Sequence, residues 1–404
     1  MKGLFFSIAL LSIGIGHAQT WFEKTKLTAS DASMDDWFGC SVAICKDIAV
    51  VGAFYDIDHG TASGSAYVYQ KKDSVWVEVQ KLTASDAAAG DNFGWSVSIS
   101  DGIIVIGARK NDDNGSNSGA AYVFTTEHNH WSEKQKLIAS DASAGDSFGH
   151  SVANWDNKIA IGANLDDHLS TNTGSVYIFD LVDNHWQESS KLIPSDSHLD
   201  DNFGCAVSGF GNKVIIGANQ NDENGKNAGS AYIFELIDTH WIESAKINAS
   251  DGATQDSFGF SVDISDSIAV VGSILDDDEG SGTGSVYLFT LRNGTWKEIE
   301  KLNASDPAAF DYFGSAVSIS ENWIAISAYR NDDVGNDTGS AYLFKKTGYQ
   351  WEEHQKILAS DAKTSDRFGN AVSISGHYVI IGAKHHGEVI SESGSAYLFE
   401  ITPN

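Results

Sequence analysis

The chain has 404 residues, with 55 aspartates and glutamates against 26 lysines and arginines, a formal charge of −29. That excess repels nucleic acid and anionic membrane surfaces and favours cations or basic partners. Three cysteines, Cys40, Cys45 and Cys205, are too few for a disulfide framework. Cys40 and Cys45 fall on opposite faces of one strand, a Cys40–Cys205 bridge is the alternative, and buried thiols are the simplest reading.

The N-terminus begins with Lys2, an apolar run from Leu4 to Ile15, and small residues at Gly16 and Ala18. This predicts a signal peptide over residues 1–18, cleaved after Ala18, and hence a secreted, extracellular or cell-surface protein. The run is short for a membrane span and no other stretch approaches one; an uncleaved anchor is the alternative. Without Lys2 the charge becomes −30. No sorting tail follows Phe399, which gives no support for surface attachment.

From residue 20 onward one phrase returns: DWFGCSV, DNFGWSV, DSFGHSV, DNFGCAV, DSFGFSV, DYFGSAV, DRFGNAV. Its phenylalanines, Phe38, Phe93, Phe148, Phe203, Phe258, Phe313 and Phe368, lie 55 residues apart, and so do Trp21, Trp76, Trp131, Trp186, Trp241, Trp296 and Trp351. Residues 20–404 number 385, seven units of 55, so they form one array and a single domain. Each unit reads as four short strands, for example FGWSVSI (93–99), IIVIGA (103–108), GAAYVF (119–124) and WSEKQKL (131–137). Seven such units predict an all-β, seven-bladed propeller of four-stranded blades. The chain begins with a fourth-strand motif, WFEKTKL (21–27), and ends with a third-strand motif, GSAYLFE (394–400). Pairing the two closes the ring and removes an open seam.

The FG that opens each unit and the VVGA, VIGA or AIGA that ends its second strand resemble the FG-GAP repeats of integrin α-subunit heads and many bacterial surface proteins. The resemblance covers all seven units. It implies the propeller and leaves function open, because the family is functionally mixed. In integrin-like repeats the turn between the first two strands often carries a calcium loop of the DxDxDG kind. Here that turn is only CKD, SDG, WDN, FGN, SDS, SEN or SGH, so the usual calcium site is not expected.

Residues common to every unit are expected to build blades. The Phe of each FG fills the layer between blades and its Gly allows close backbone approach. The fourth strand carries W-x-E-x-x-K, as at Trp21, Glu23 and Lys26. Its tryptophans are expected to cover the outer edge while Glu and Lys discourage edge pairing; sugar stacking on the seven rings is the alternative. The linker into each blade reads S-D-x-x-x-x-D, with Asp31 and Asp36, then Asp86 and Asp91, and so on. Such aspartates hold turns, and as paired carboxylates they make calcium a candidate. The loop between strands two and three adds further acids, among them Asp112 and Asp113, Asp276 through Asp278, and Asp332. The seventh loop instead has His385, His386 and Glu388, which are metal-ligand types in a solvated loop.

In an up-and-down blade these linkers and loops emerge on one side of the disc. Ten-residue windows from Thr28 and from Phe54, with their 55-residue equivalents, hold 33 acids and 7 bases, a balance of −26. Nearly all the charge belongs to one face. The resulting expectation is a secreted, non-enzymatic binding or adhesion propeller whose acidic face meets an extracellular protein or glycan, with metal candidates Asp31, Asp36, Asp86, Asp91, Asp276 and Asp278. The alternatives are a lectin and an enzyme; no nucleophile–base set stands out for the latter. The residue after each FG varies freely: Cys40, Trp95, His150, Cys205, Phe260, Ser315 and Asn370. Trp95, His150 and Phe260, with the loop acids Asp112, Asp113, Asp277 and Asp332, are the expected ligand contacts; the alternative is that the side chains after FG merely plug the central channel.

Overall fold

A computed structural model describes residues 19–168, 170–387 and 390–402. The expected signal peptide (1–18) and Glu388 lie outside the described residues. Within them are twenty-eight strands and no helix, arranged as seven four-stranded antiparallel sheets. Blade 1 contains Ser41–Cys45, Ile48–Ala53, Ser65–Lys72 and Val75–Leu82, and its order in space is its order in sequence. The first strands of neighbouring blades touch in a cycle that runs from blade 1 through blade 7 and back. This is the seven-bladed propeller.

Blade 7 takes its fourth strand from the N-terminus. Trp21–Leu27 pairs antiparallel with Ser395–Ile401, with Trp21 opposite Ile401 and Leu27 opposite Ala396. Side chains reinforce the closure from the neighbouring blade: the Gln355 amide donates to the Trp21 carbonyl at 2.8 Å and accepts from the Trp21 amide at 2.9 Å.

The core lies between blades. Each FG phenylalanine is at most 1 % exposed and meets the third-strand tyrosine of its own blade edge-on, with centroids 5.3–5.5 Å apart. It also faces the preceding sheet, as Phe93 does beside Val50, Ala66 and Val68. The adjoining glycine is required there. Gly94 has φ +87°, and a Cβ on it would stand 2.3 Å from the Ser65 carbonyl oxygen of blade 1.

The fourth-strand tryptophans depart from expectation. Trp21, Trp76, Trp131, Trp186, Trp296 and Trp351 are buried and Trp241 is half-buried. They wedge against the preceding blade, as Trp21 does edge-on to Trp323 at 5.3 Å and Trp76 to Tyr378 at 5.5 Å. An indole buries more apolar area between sheets than a rim could cover, so these rings are no sugar platform.

The spacing W-x-E-x-x-K also has a structural cause. A strict two-residue alternation would send Glu78 and Lys81 to opposite faces. In blade 1, however, Tyr69 pairs with Glu78 and Tyr67 with Lys81, and the register shifts between them. The extra residue is a β-bulge that returns the lysine to the glutamate's face. The same shift occurs in every blade.

Deleting residues 20–28 would leave two blade edges unpaired and strip the interblade wedge at Trp21. The melting temperature should fall by roughly 10 °C or more, or the protein should aggregate. An unchanged melting curve by circular dichroism would contradict closure.

Candidate functional site

The blade-entry linkers and the strand two–three loops do share one face, where they hydrogen-bond across blades: Gly90 N–H donates to the Thr61 carbonyl at 2.9 Å and Asn92 N–H to Ala62 at 3.0 Å. On this face the fourth-strand Glu and Lys turn inward. In all seven blades the glutamate accepts from the backbone N–H and the hydroxyl of the linker serine, at 2.7–3.0 Å, from Ser30 with Glu78 to Ser360 with Glu23. The lysine donates to the first linker aspartate at 2.5–2.8 Å, as Lys81 does to Asp31 and Lys136 to Asp86. The third-strand tyrosine hydroxyl donates to the other oxygen of that aspartate at 2.6–2.8 Å. Each blade is thus latched to its own linker by a Lys–Asp–Tyr set.

The second linker aspartate does different work. Asp36, Asp91 and their equivalents are buried and accept from the backbone N–H three residues earlier, at 2.5–3.1 Å. The sequence pairs Asp31 with Asp36 and Asp86 with Asp91, whereas the structure groups the first aspartate with the loop between strands two and three.

Beneath the lysine lies a position that the sequence marks only at Asp276, among the metal candidates, and at His386. At 55-residue intervals it is Asp56, Asn111, Asp166, Asn221, Asp276, Asn331 and His386, all buried. The alternation is visible in the sequence, but its meaning depends on the tyrosine and lysine around it. In blades 1, 3 and 5 the Asp accepts from both, as Asp56 does from Tyr67 at 2.9 Å and Lys81 at 2.9 Å. In even blades the Asn accepts from the lysine and, in two of the three, donates to the buried second aspartate, as Asn331 does to Asp311 at 3.0 Å. In blade 7 His386 bridges Asp366 and Lys26, 2.8 Å from each.

Among the described residues two groups of carboxylates stand close enough to hold a metal ion: Asp31, Asp56 and Asp58, and Asp251, Asp276 and Asp278, each set with ligand oxygens within 4.8 Å of one another. An ammonium already sits among them. Lys81 Nζ is 2.7, 2.9 and 2.5 Å from the first three, and Lys301 Nζ is 2.8, 3.0 and 2.6 Å from the second. Calcium needs about six to eight oxygens, and here it would first have to expel a lysine. Residues Asp31, Asp276 and Asp278 of the expected metal set belong to these triads; Asp36, Asp86 and Asp91 do not.

The latches set the pKa pattern. Burial acts against Asp31, but hydrogen bonds from Lys81 and Tyr67 hold it below its ordinary value of 3.8, and Asp86, Asp141, Asp196, Asp251 and Asp306 follow suit. Asp36, Asp146 and Asp256 are pushed up to about 6 by burial, with a facing Asp at 56, 166 or 276 adding to it.

At the axis, the seven residues after FG line a channel of about 320 Å³. Trp95 is covered by the Arg109 guanidinium at 3.2 Å and lies near Phe54 and His150. Burial drives the His150 imidazole down to about 3, so it is neutral. Phe260 is 37 % exposed. The position is less free than its variability implies. Where the next residue is serine, its hydroxyl reaches the following blade, as Ser41 does to the Gly94 carbonyl at 2.8 Å. In two of the three blades where it is alanine, Cys205 and Asn370 make the bond instead, at 3.4 and 2.9 Å, and in the third Ser315 turns to Ser327 of its own blade at 2.9 Å. All three cysteines are free thiols, and burial pushes Cys40 up to about 11 and Cys205 to about 12.

Among the loop acids, Asp112 and Asp332 each cap their own loop by accepting from the backbone N–H five residues on, at 2.7 and 2.6 Å. Asp113 pairs with Lys136, and Asp277 is exposed.

The FG-GAP repeat family profile matches residues 21–69, 76–124, 131–179, 186–234, 241–289, 296–344 and 351–399. Comparison with curated proteins returned no significant match.

Two measurements follow from the latches. The first is stability against pH. The raised aspartates penalise the fold when ionised, so stability increases as pH falls through about 6 and the gain saturates near 3.8. The lowered aspartates contribute stability above 3.8 that is lost at lower pH. Thermal unfolding should therefore peak at about pH 4–5; a monotonic fall from pH 7 to 5 would contradict the assignment. The second is calorimetric titration of Lys301→Met with calcium, which should reveal a site that the wild type lacks. No gain in binding by a folded variant would show that the triad is no cation pocket.

Proposed function

The chain belongs to the FG-GAP repeat family, whose scaffold supplies a propeller without dictating chemistry, and we propose that this member is an exported, non-enzymatic binding propeller whose acidic face holds an extracellular protein with a basic surface. The observation that carries the reading is the segregation of charge: the loop and linker windows hold a balance of −26 out of −29. The seven latch lysines offset only part of it. Exposed carboxylates such as Asp277 remain free to steer a cationic partner, and long-range attraction of this kind accelerates docking. The channel mouth, with Trp95, His150 and Phe260, lies at the centre of that surface. The signal-like N-terminus supports export, and no helix among the described residues is long and apolar enough to cross a membrane.

Divalent cations enter this reading as weak, exchangeable counter-ions of the exposed carboxylates. The triads have their own ammonium groups. Calcium is thus a modulator of the face and not a resident of the fold.

A matched pair of variants tests the proposal. Asp112→Asn, Asp277→Asn and Asp332→Asn together remove three charges from the acidic face while keeping acceptors for the turn bonds. Asp73→Asn, Asp183→Asn and Asp238→Asn remove three exposed charges from the third-to-fourth-strand hairpins on the opposite face. Immobilised on beads in extracellular medium, the first variant should lose most of the protein that the wild type captures, and the second should retain it. Equal capture by both would overturn the acidic-face reading.

A further inference from the structure

Seven copies of one unit provide an internal control, because whatever the fold requires recurs and whatever departs is available for something else. A second departure on the acidic face, besides the histidine pair of blade 7, is in blade 1. Position 57 of the repeat is aspartate in five blades, Asp112, Asp167, Asp222, Asp277 and Asp332, and glycine in the seventh; in blade 1 it is Ile57. It is 56 % exposed, beside Met34 at 62 % and Tyr55 at 38 %.

Trp37 stands at the same place and in an unfavourable conformation. The residue before each FG phenylalanine has positive φ, a setting that suits Asn or Ser and penalises bulky side chains. Blades 2 to 5 use Asn92, Ser147, Asn202 and Ser257 there, at φ 56–58°, and blades 6 and 7 carry Tyr312 at φ 60° and Arg367 at φ 55°. Blade 1 places Trp37 there, at φ 56°. Its indole is held by Tyr55 at 4.4 Å, His385 at 4.8 Å and Phe54 at 5.5 Å, with the Lys384 ammonium 5.4 Å from the ring. Bulky side chains in this costly conformation recur at Tyr312 and Arg367, and what sets blade 1 apart is that its aromatic ring adjoins the exposed Met34 and Ile57, an apolar cluster of the kind that contact residues form.

Met34, Trp37, Tyr55 and Ile57 line a hollow of about 590 Å³, and Asp35 and Glu392 stand on its rim. An apolar floor inside an acidic rim, on a face of balance −26, selects by both terms: charge draws in a basic chain and the floor accepts one bulky apolar side chain. We propose that this hollow is the anchor point for the partner, and that it takes a peptide segment in which one large apolar side chain is flanked by lysines or arginines. The proposal rests on the acidic-face reading and names the site and the chemistry of its occupant.

The probe is a set of fluorescein-labelled pentapeptides, Lys-Lys-X-Lys-Lys, with X leucine, phenylalanine or glycine, followed by anisotropy at low and at near-physiological salt. Two variants restore what the repeat uses elsewhere and so retain the fold: Trp37→Asn and Ile57→Asp. The wild type should bind the leucine and phenylalanine peptides about tenfold more tightly than the glycine peptide. Both variants should lose that preference while still binding the glycine peptide at low salt. If the preference is absent, or survives in both variants, the hollow is not the anchor and the acidic-face reading stands. If no peptide binds even at low salt, the acidic-face reading falls and the hollow falls with it.

Discussion

The structure depends on how closely one blade's backbone approaches the next. Gly94 packs its α-carbon against the Ser65 carbonyl, and a methyl group there would stand 2.3 Å from that oxygen. Phe93 beside it, with no exposed surface, fills the wedge. Because all seven interfaces must add to one closed turn, the contact cannot vary in one blade without opening another. That constraint accounts for an uninterrupted 55-residue period and for a strand borrowed from the N-terminus.

Closing the ring leaves the loops of seven blades crowded on one side, and this sequence makes them acidic. The resulting repulsion needs an internal remedy. A bulge in every fourth strand turns one lysine toward its linker, where it meets two or three acceptors, the tyrosine-bound aspartate among them. Each exposed pair is worth at most about 1 kcal/mol, but sevenfold repetition ties all seven linkers by the same device. The latches also divide the acids into two populations. Those bound to lysine, tyrosine or backbone amides hold the scaffold, and those left in solvent form the surface that a partner meets.

Much of this was legible in the sequence. Period, strand count, closure and the one-sided charge all follow from residues that recur at fixed intervals, because interblade packing uses the same side chains each time. The destinations of polar side chains were harder to read. Lys81 cannot be placed on the glutamate's face without the bulge, since simple alternation sends it to the other. Asp31 finds its neighbours in Asp56 and Asp58, across a loop, and not in Asp36 along the linker. The seven tryptophans invited a rim reading, yet six are buried between sheets. Cys205 and Asn370 look free because they vary, but each replaces a missing serine. The blade 1 hollow draws on two loops and one linker, and no single stretch of sequence shows it.

The central claim is that the acidic face carries its own cations. It is tested most directly by a crystal structure from crystals grown with calcium, with anomalous differences measured at long wavelength. The account predicts lysine density at the centre of both triads, Asp31–Asp56–Asp58 and Asp251–Asp276–Asp278, with no anomalous peak there. A metal peak inside either triad, with Lys81 or Lys301 displaced, would contradict it.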